Sequence, residues 1–142
     1  MDAGSGSERT EHRARVTWEG TKEDLRAHRV ELAGEVVQGS TMPENGGDPD
    51  RADPEQLFVG ALSACHMLWF IALARGRRLR VTAYADEAVG TLENGRISRV
   101  VLNPEVAFAD GPGSGVLAEL HHEAHERCYL AASVSFPVEV AA

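Results

Sequence analysis

The chain has 142 residues, 43% hydrophobic and 25% charged, with 14 Lys+Arg against 22 Asp+Glu for a formal net charge of −8. These totals describe one soluble globular domain and exclude nucleic-acid binding driven by overall charge. Its two cysteines, Cys65 and Cys128, lie too far apart for a CxxC redox pair and are too few for an all-cysteine zinc site or a disulfide-dense scaffold.

Residues 1–14 are small, polar and charged with no apolar h-region, so they read as a disordered leader on a cytoplasmic protein, with residues 15–142 forming a single domain. Arg13–Trp18 and Leu25–Val37 alternate with a period of two and predict an N-terminal hairpin. Residues 38–53 are rich in Gly and Pro and predict a loop. Asp53-Pro54-Glu55-Gln56 then opens a helix: Asp as N-cap, Pro at the first position where no N–H is needed, acid in the first turn, Gln at the third. The helix should run to about Arg75 with Gly76 as its C-cap, and the basic run Arg75 to Arg80 answers its negative end.

Beyond Leu79 the period returns to two, with Val81, Ala83 and Ala85 on one side and Thr82, Tyr84 and Asp86 on the other. Glu93-Asn94-Gly95 predicts a hairpin, Ile97–Phe108 its returning strand, bent at Pro104. A Gly/Pro loop leads into a second helix, Val116 to about Arg127, and Ser133–Ala141 predicts a closing strand, placed at a sheet edge by Pro137. The order ββ-α-ββ-α-β defines an α+β fold.

Residues 57–74 of the first helix hold His66 as their one ionisable basic group. The stretch reaches the lower limit for a membrane span, but burial in a soluble protein accounts better for the amphipathic strands around it. Gly60 and Ala64 form a small-residue face, and so short a chain has too few helices to sheathe this one, so homodimerisation is the expected remedy.

Cys65 sits mid-helix, where a free cysteine often packs merely as a small hydrophobe. Cys128 follows the second helix on the register of Leu117, Leu120/His121 and Ala124, so it too faces the core. If the helices pack together, the two thiols can run a cycle in which one is oxidised to a sulfenic acid and the other condenses with it. A thiolate nucleophile needs a positive neighbour. Arg26 and Arg51 are the candidate arginines and Glu55 the candidate carboxylate to orient one. Glu55 and Cys65 lie roughly 15 Å apart along one helix and about 80° around it. Either an arginine bridges that gap or Glu55 serves the thiol of a partner subunit. Adjacent helical positions diverge by about 100°, so His66 reads as a core or interface histidine and not a dyad with Cys65. His121, His125 and Cys128 share a helix face, which leaves a zinc site as an alternative. Glu119, Glu123 and Glu126 read as a solvated face.

The segments Gly47-Asp48-Pro49-Asp50-Arg51-Ala52-Asp53-Pro54-Glu55-Gln56-Leu57, Ala61-Leu62-Ser63-Ala64-Cys65-His66 and Ala124-His125-Glu126-Arg127-Cys128-Tyr129-Leu130-Ala131-Ala132-Ser133-Val134 together resemble the OsmC/Ohr family of thiol-dependent hydroperoxide reductases. The resemblance runs from about Arg15 to the C-terminus. It implies the OsmC-like fold, an intertwined homodimer with two long central helices wrapped by sheets. It also implies that Cys65 is the peroxidatic nucleophile and Cys128 the resolving cysteine. Glu55 then holds the catalytic arginine, with Arg26 the first choice and Arg51 the second. The implied activity is reduction of organic hydroperoxides at the expense of a dithiol reductant, lipoyl-linked or thioredoxin-like. It calls for no metal or organic cofactor and involves neither nucleic acid nor membrane. Leu68, Trp69 and Phe70 are the expected apolar wall for an alkyl substrate. The alternative is a non-enzymatic dimer that binds a small apolar ligand, or a metal ion through His121, His125 and Cys128.

Overall fold

The computed structural model describes residues 8–141. Residues 1–7 of the expected leader lie outside the described residues, and 8–14 carry no regular element. The elements are β1 (Arg15–Trp18), β2 (His28–Leu32), β3 (Glu35–Gly39), α1 (Pro54–Gly76), β4 (Val81–Asp86), β5 (Val89–Glu93), β6 (Arg96–Leu102), β7 (Pro104–Phe108), α2 (Ser114–Arg127) and β8 (Val138–Val140). Two compact units emerge, the first extending to Leu57 and the second beginning at Phe58.

In the N-terminal unit the expected hairpin is a three-stranded antiparallel sheet, β1-β2-β3. The Leu25–Val37 run breaks at Ala33-Gly34, where Ala33 takes a left-handed φ of 53° and turns the chain back. Val30 thereby stands opposite both Val16 and Val37. The following loop is pinned to β3: Ser40 N–H donates to the Ala52 carbonyl at 2.9 Å, Ala52 N–H to the Gln38 carbonyl at 3.0 Å, and Asp48 N–H to Ser40 Oγ at 3.1 Å. Asp53 and Gln56 satisfy each other across the start of α1. The Gln56 N–H reaches Asp53 Oδ1 at 2.7 Å and the Asp53 N–H reaches Gln56 Oε1 at 2.9 Å, the reciprocal cap the sequence predicts.

The C-terminal unit holds the rest of α1, the other two sheets, β4-β7 and β5-β6-β8, and α2. The predicted strand beyond Leu79 splits into β4 and β5. The expected bend before Pro104 is a division, since β6 pairs with β5 and β8 whereas β7 pairs with β4. Asn94 and Gly95 both take positive φ, 53° and 78°, in the β5–β6 turn, as an Asn-Gly hairpin requires. β8 shortens to three residues and runs parallel to β6 at the sheet edge, directly after Pro137. β5 approaches α1 so closely that a Cβ at Gly90 would stand 2.5 Å from the Val59 side chain.

α1 ends one step later than the sequence suggests. Arg78, not Gly76, takes the left-handed conformation (φ 60°), with Leu79 N–H bonded to the Ala74 carbonyl and Arg78 N–H to that of Arg75, each at 2.9 Å. Arg77 then reaches α2, bonding Glu119 at 2.9 Å and Glu123 at 3.0 Å, so two of the glutamates expected to face solvent are cross-helix partners. Two cores form on α1. Leu62 packs with Val100 and Leu102 of β6, and further along Trp69, Phe70 and Ala74 pack with Leu120, Ala124 and Cys128.

Candidate active site

α2 positions Cys128. Its buried residues Leu120 and Ala124 recur every four positions and continue to Cys128, which leaves helical geometry at the C-cap with ψ 115° and is 2% exposed. The Ala131 N–H points at its sulfur from 3.4 Å. Cys65, half-buried on α1, packs against the same cluster. Burial, followed by hydrogen bonding with the Cys65 thiol, pushes the Cys128 thiol up to about 11, so Cys128 is a neutral thiol at physiological pH. Both cysteines are free. The C-terminal unit therefore brings the two sequence-predicted thiols together, one partly accessible and one buried.

The other three predicted residues belong to the N-terminal unit. Arg51 Nη1 donates to the carbonyls of His28 and Gly39, each at 3.3 Å, and lies 3.8 Å from Glu19. It thus fastens β2 to β3. The Arg26 side chain is exposed and passes beneath Gly46. Glu55 is half-buried in the first turn of α1.

The sequence reading missed a polar cluster beside the thiols. His66 is 1% exposed, and its Nε2 lies 3.0 Å from His121 Nδ1, with the two rings 5.3 Å apart and 9° from parallel. The Phe70 ring covers His121 at 4.4 Å. Burial, reinforced by His121 and His125 and only partly opposed by Asp86, depresses His66 to about 4; burial also lowers His121. Asp86 accepts hydrogen bonds from Ser63 Oγ and, at 2.6 Å, from the Asn103 N–H. A register shift between Val81 and Ala83 explains why Asp86 was not legible: it turns Tyr84 and Asp86 to the same inner side as Val81. The sequence placed His66 in the core, where it lies, and His121 on the inward register of α2; their pairing carried no signal, because the two stand on separate helices.

His121 turns toward His66, and among the described residues no group of three His, Cys, Asp or Glu side chains is arranged to hold a metal ion. His121, His125 and Cys128, the set the zinc alternative needs, are thus not assembled as ligands within this chain. The expected apolar wall also divides. Trp69 and Phe70 are buried, whereas Leu68 is 51% exposed. Trp69 meets Tyr129 edge-on at 5.6 Å, and the Arg127 guanidinium lies 5.9 Å from its ring centre.

An α+β fold with a long apolar helix carrying one thiol and a shorter helix delivering a second defines a class of protein, and the comparisons identify it. The model of OsmC-like proteins matches residues 47–142. An OsmC-like protein of unknown function from Vibrio cholerae is similar at 35% identity over 94% of this chain and 99% of that one, with a TM-score of 0.84. The chain belongs to the OsmC family. Organic hydroperoxide resistance proteins share its fold, among them one from Elizabethkingia anophelis (21% identity, 94% and 95% coverage, TM-score 0.70) and one from Legionella pneumophila (19%, 93% and 96%, 0.68). Among curated proteins no match was found.

Proposed function

We propose that the protein is a cytoplasmic, homodimeric, thiol-dependent peroxidase for organic hydroperoxides. The observation that carries this reading is the pairing of a half-buried Cys65 with a buried, neutral Cys128 inside one core. The accessible thiol suits attack, and the buried one suits waiting. The Cys65 thiolate takes the distal oxygen of the hydroperoxide and becomes a sulfenic acid, while the O–O bond breaks and the alkoxide leaves as alcohol after gaining a proton. Cys128 then displaces hydroxide from Cys65, forming the S–S bond. Its thiol proton leaves with that hydroxide as water. A dithiol reductant restores both thiols. In this reading Arg26, held by Glu55, stabilises the Cys65 thiolate, with Arg51 as the alternative.

Support for the activity comes from the fold shared with organic hydroperoxide resistance proteins. Support for a dimer comes from α1. It is long and apolar enough to cross a membrane, yet most of its apolar stretch is not fully buried by its own chain. Ala61, Ala64, Leu68 and Ile71 form an exposed stripe, which suits a second copy. The test is reductant-dependent consumption of cumene hydroperoxide. Wild type is expected to turn over and Cys65→Ser to lose at least about a hundredfold in rate, as expected when a nucleophile is removed. Equal consumption by both would overturn the reading.

A further inference from the structure

The His66–His121 pair takes no part in the chemistry just described, yet it occupies the junction of the two helices that carry the thiols. We propose that this pair is a positioning device for disulfide formation: its hydrogen bond fixes the rotation of α2 against α1, and thereby where the Cys128 sulfur falls relative to Cys65. The inference rests on the two-thiol cycle proposed above.

The geometry favours this role over simple packing. His66 directly follows Cys65, so one end of the bond is anchored beside the attacking thiol. His121 stands two turns before Cys128, roughly 10 Å along the axis and about 20° off the same line, so the other end lies on the face that delivers the resolving thiol. An apolar pair of equal volume would pack here without any desolvation cost, but it would accept a range of helix rotations. A ring-to-ring bond between Nε2 and Nδ1 at 3.0 Å, with rings 9° from parallel, accepts few. The Phe70 ring, 4.4 Å from that of His121, restricts the ring further. Neither imidazole is suited to take the Cys128 proton, because burial disfavours the cationic form of each. Their contribution is therefore directional.

During resolution the two sulfurs must close to bonding distance with the correct dihedral, a requirement with little tolerance. Cys128 is the C-cap of α2, directly after Arg127, so a small rotation of α2 moves its sulfur directly. The oxidation of Cys65 itself makes no such demand. Loss of the pair should thus slow the second step and spare the first.

The experiment compares polar substitutions that differ by one methylene. In His66→Gln and His121→Asn the side-chain amide reaches the position of the bonding ring nitrogen; in His66→Asn and His121→Gln it does not. Each variant receives one equivalent of cumene hydroperoxide. Dimedone trapping and mass spectrometry follow the Cys65 sulfenic acid, and thiol titration follows the disulfide. Formation of the sulfenic acid is expected within about twofold of wild type throughout. Its conversion to disulfide is expected to slow by about tenfold in His66→Asn and His121→Gln, the loss of one hydrogen bond, and to stay within about threefold in His66→Gln and His121→Asn. Equal resolution rates in the two sets would overturn the proposal, as would parallel slowing of both steps. If wild type does not react with hydroperoxide, the peroxidase reading falls by itself; the same contrast, with the disulfide driven by diamide, then decides the positioning role.

Discussion

α1 presents two faces that nearly the same apolar composition encodes in different ways. The inner face carries Leu62, His66, Trp69, Phe70 and Ala74, all buried and most of them bulky, and it is where the thiol and the histidine pair lie. The outer face carries Ala61, Ala64, Leu68 and Ile71, smaller on average and exposed, with Leu68 at 51% and Ile71 at 36%. The comparison teaches that an evenly apolar helix need not be evenly used. One side is filled by its own chain with large, chemically loaded residues, and the other is left flat.

The largest test of that contrast is Phe70→Ala. Phe70 is fully buried and its ring meets those of Tyr84, Phe108 and His121, so truncation should cost about 3–5 kcal/mol in urea unfolding. A cost under about 1 kcal/mol would mean that the inner face is not the core. Acid is the next probe, because only the inner face carries a depressed base. His66 is held near 4, against about 6.5 in the unfolded chain, and His121 is lowered in the same direction. The unfolded state therefore binds more protons between those values, and stability should fall as pH drops from about 6.5 to 4, by an amount of order 3 kcal/mol from His66. His66→Gln should flatten that slope, and a slope unchanged by the substitution would contradict the burial of the pair. The smallest effect on the fold should come from the outer face. Leu68→Glu is expected to leave unfolding of the chain within about 0.5 kcal/mol of wild type, while weakening self-association by roughly a hundredfold or more through an unpaired interfacial charge. Sedimentation measures it; a monomeric wild type would refute the assignment of that face.

Much of the first helix was legible because its signals are local. The Asp53–Gln56 cap, Pro54 and the apolar run each act within a few residues, as do Asn94-Gly95 in the hairpin and the four-residue spacing that aims Leu120, Ala124 and Cys128 inward. What stayed hidden depends on contacts between distant segments. The partition of β6 and β7 between two sheets follows from pairing partners far along the chain, and the shift between Val81 and Ala83 reverses which side of β4 faces inward. The histidine pair joins residues on separate helices, so neither spacing within α1 nor spacing within α2 announces it. Likewise Glu119 and Glu123 look solvated until Arg77 is placed opposite them. That the two thiols share one core was legible because each sits on the apolar register of its own helix.

The account stands most directly on the two sulfurs acting as a pair, and counting them tests it. Treated with one equivalent of cumene hydroperoxide per chain and then denatured, the protein should pass from two titratable thiols to none, and peptide mapping should recover Cys65 linked to Cys128. Cys128→Ser should instead leave Cys65 as a trappable sulfenic acid. Retention of both thiols after hydroperoxide treatment, or a linkage that joins Cys65 to another Cys65, would contradict the account.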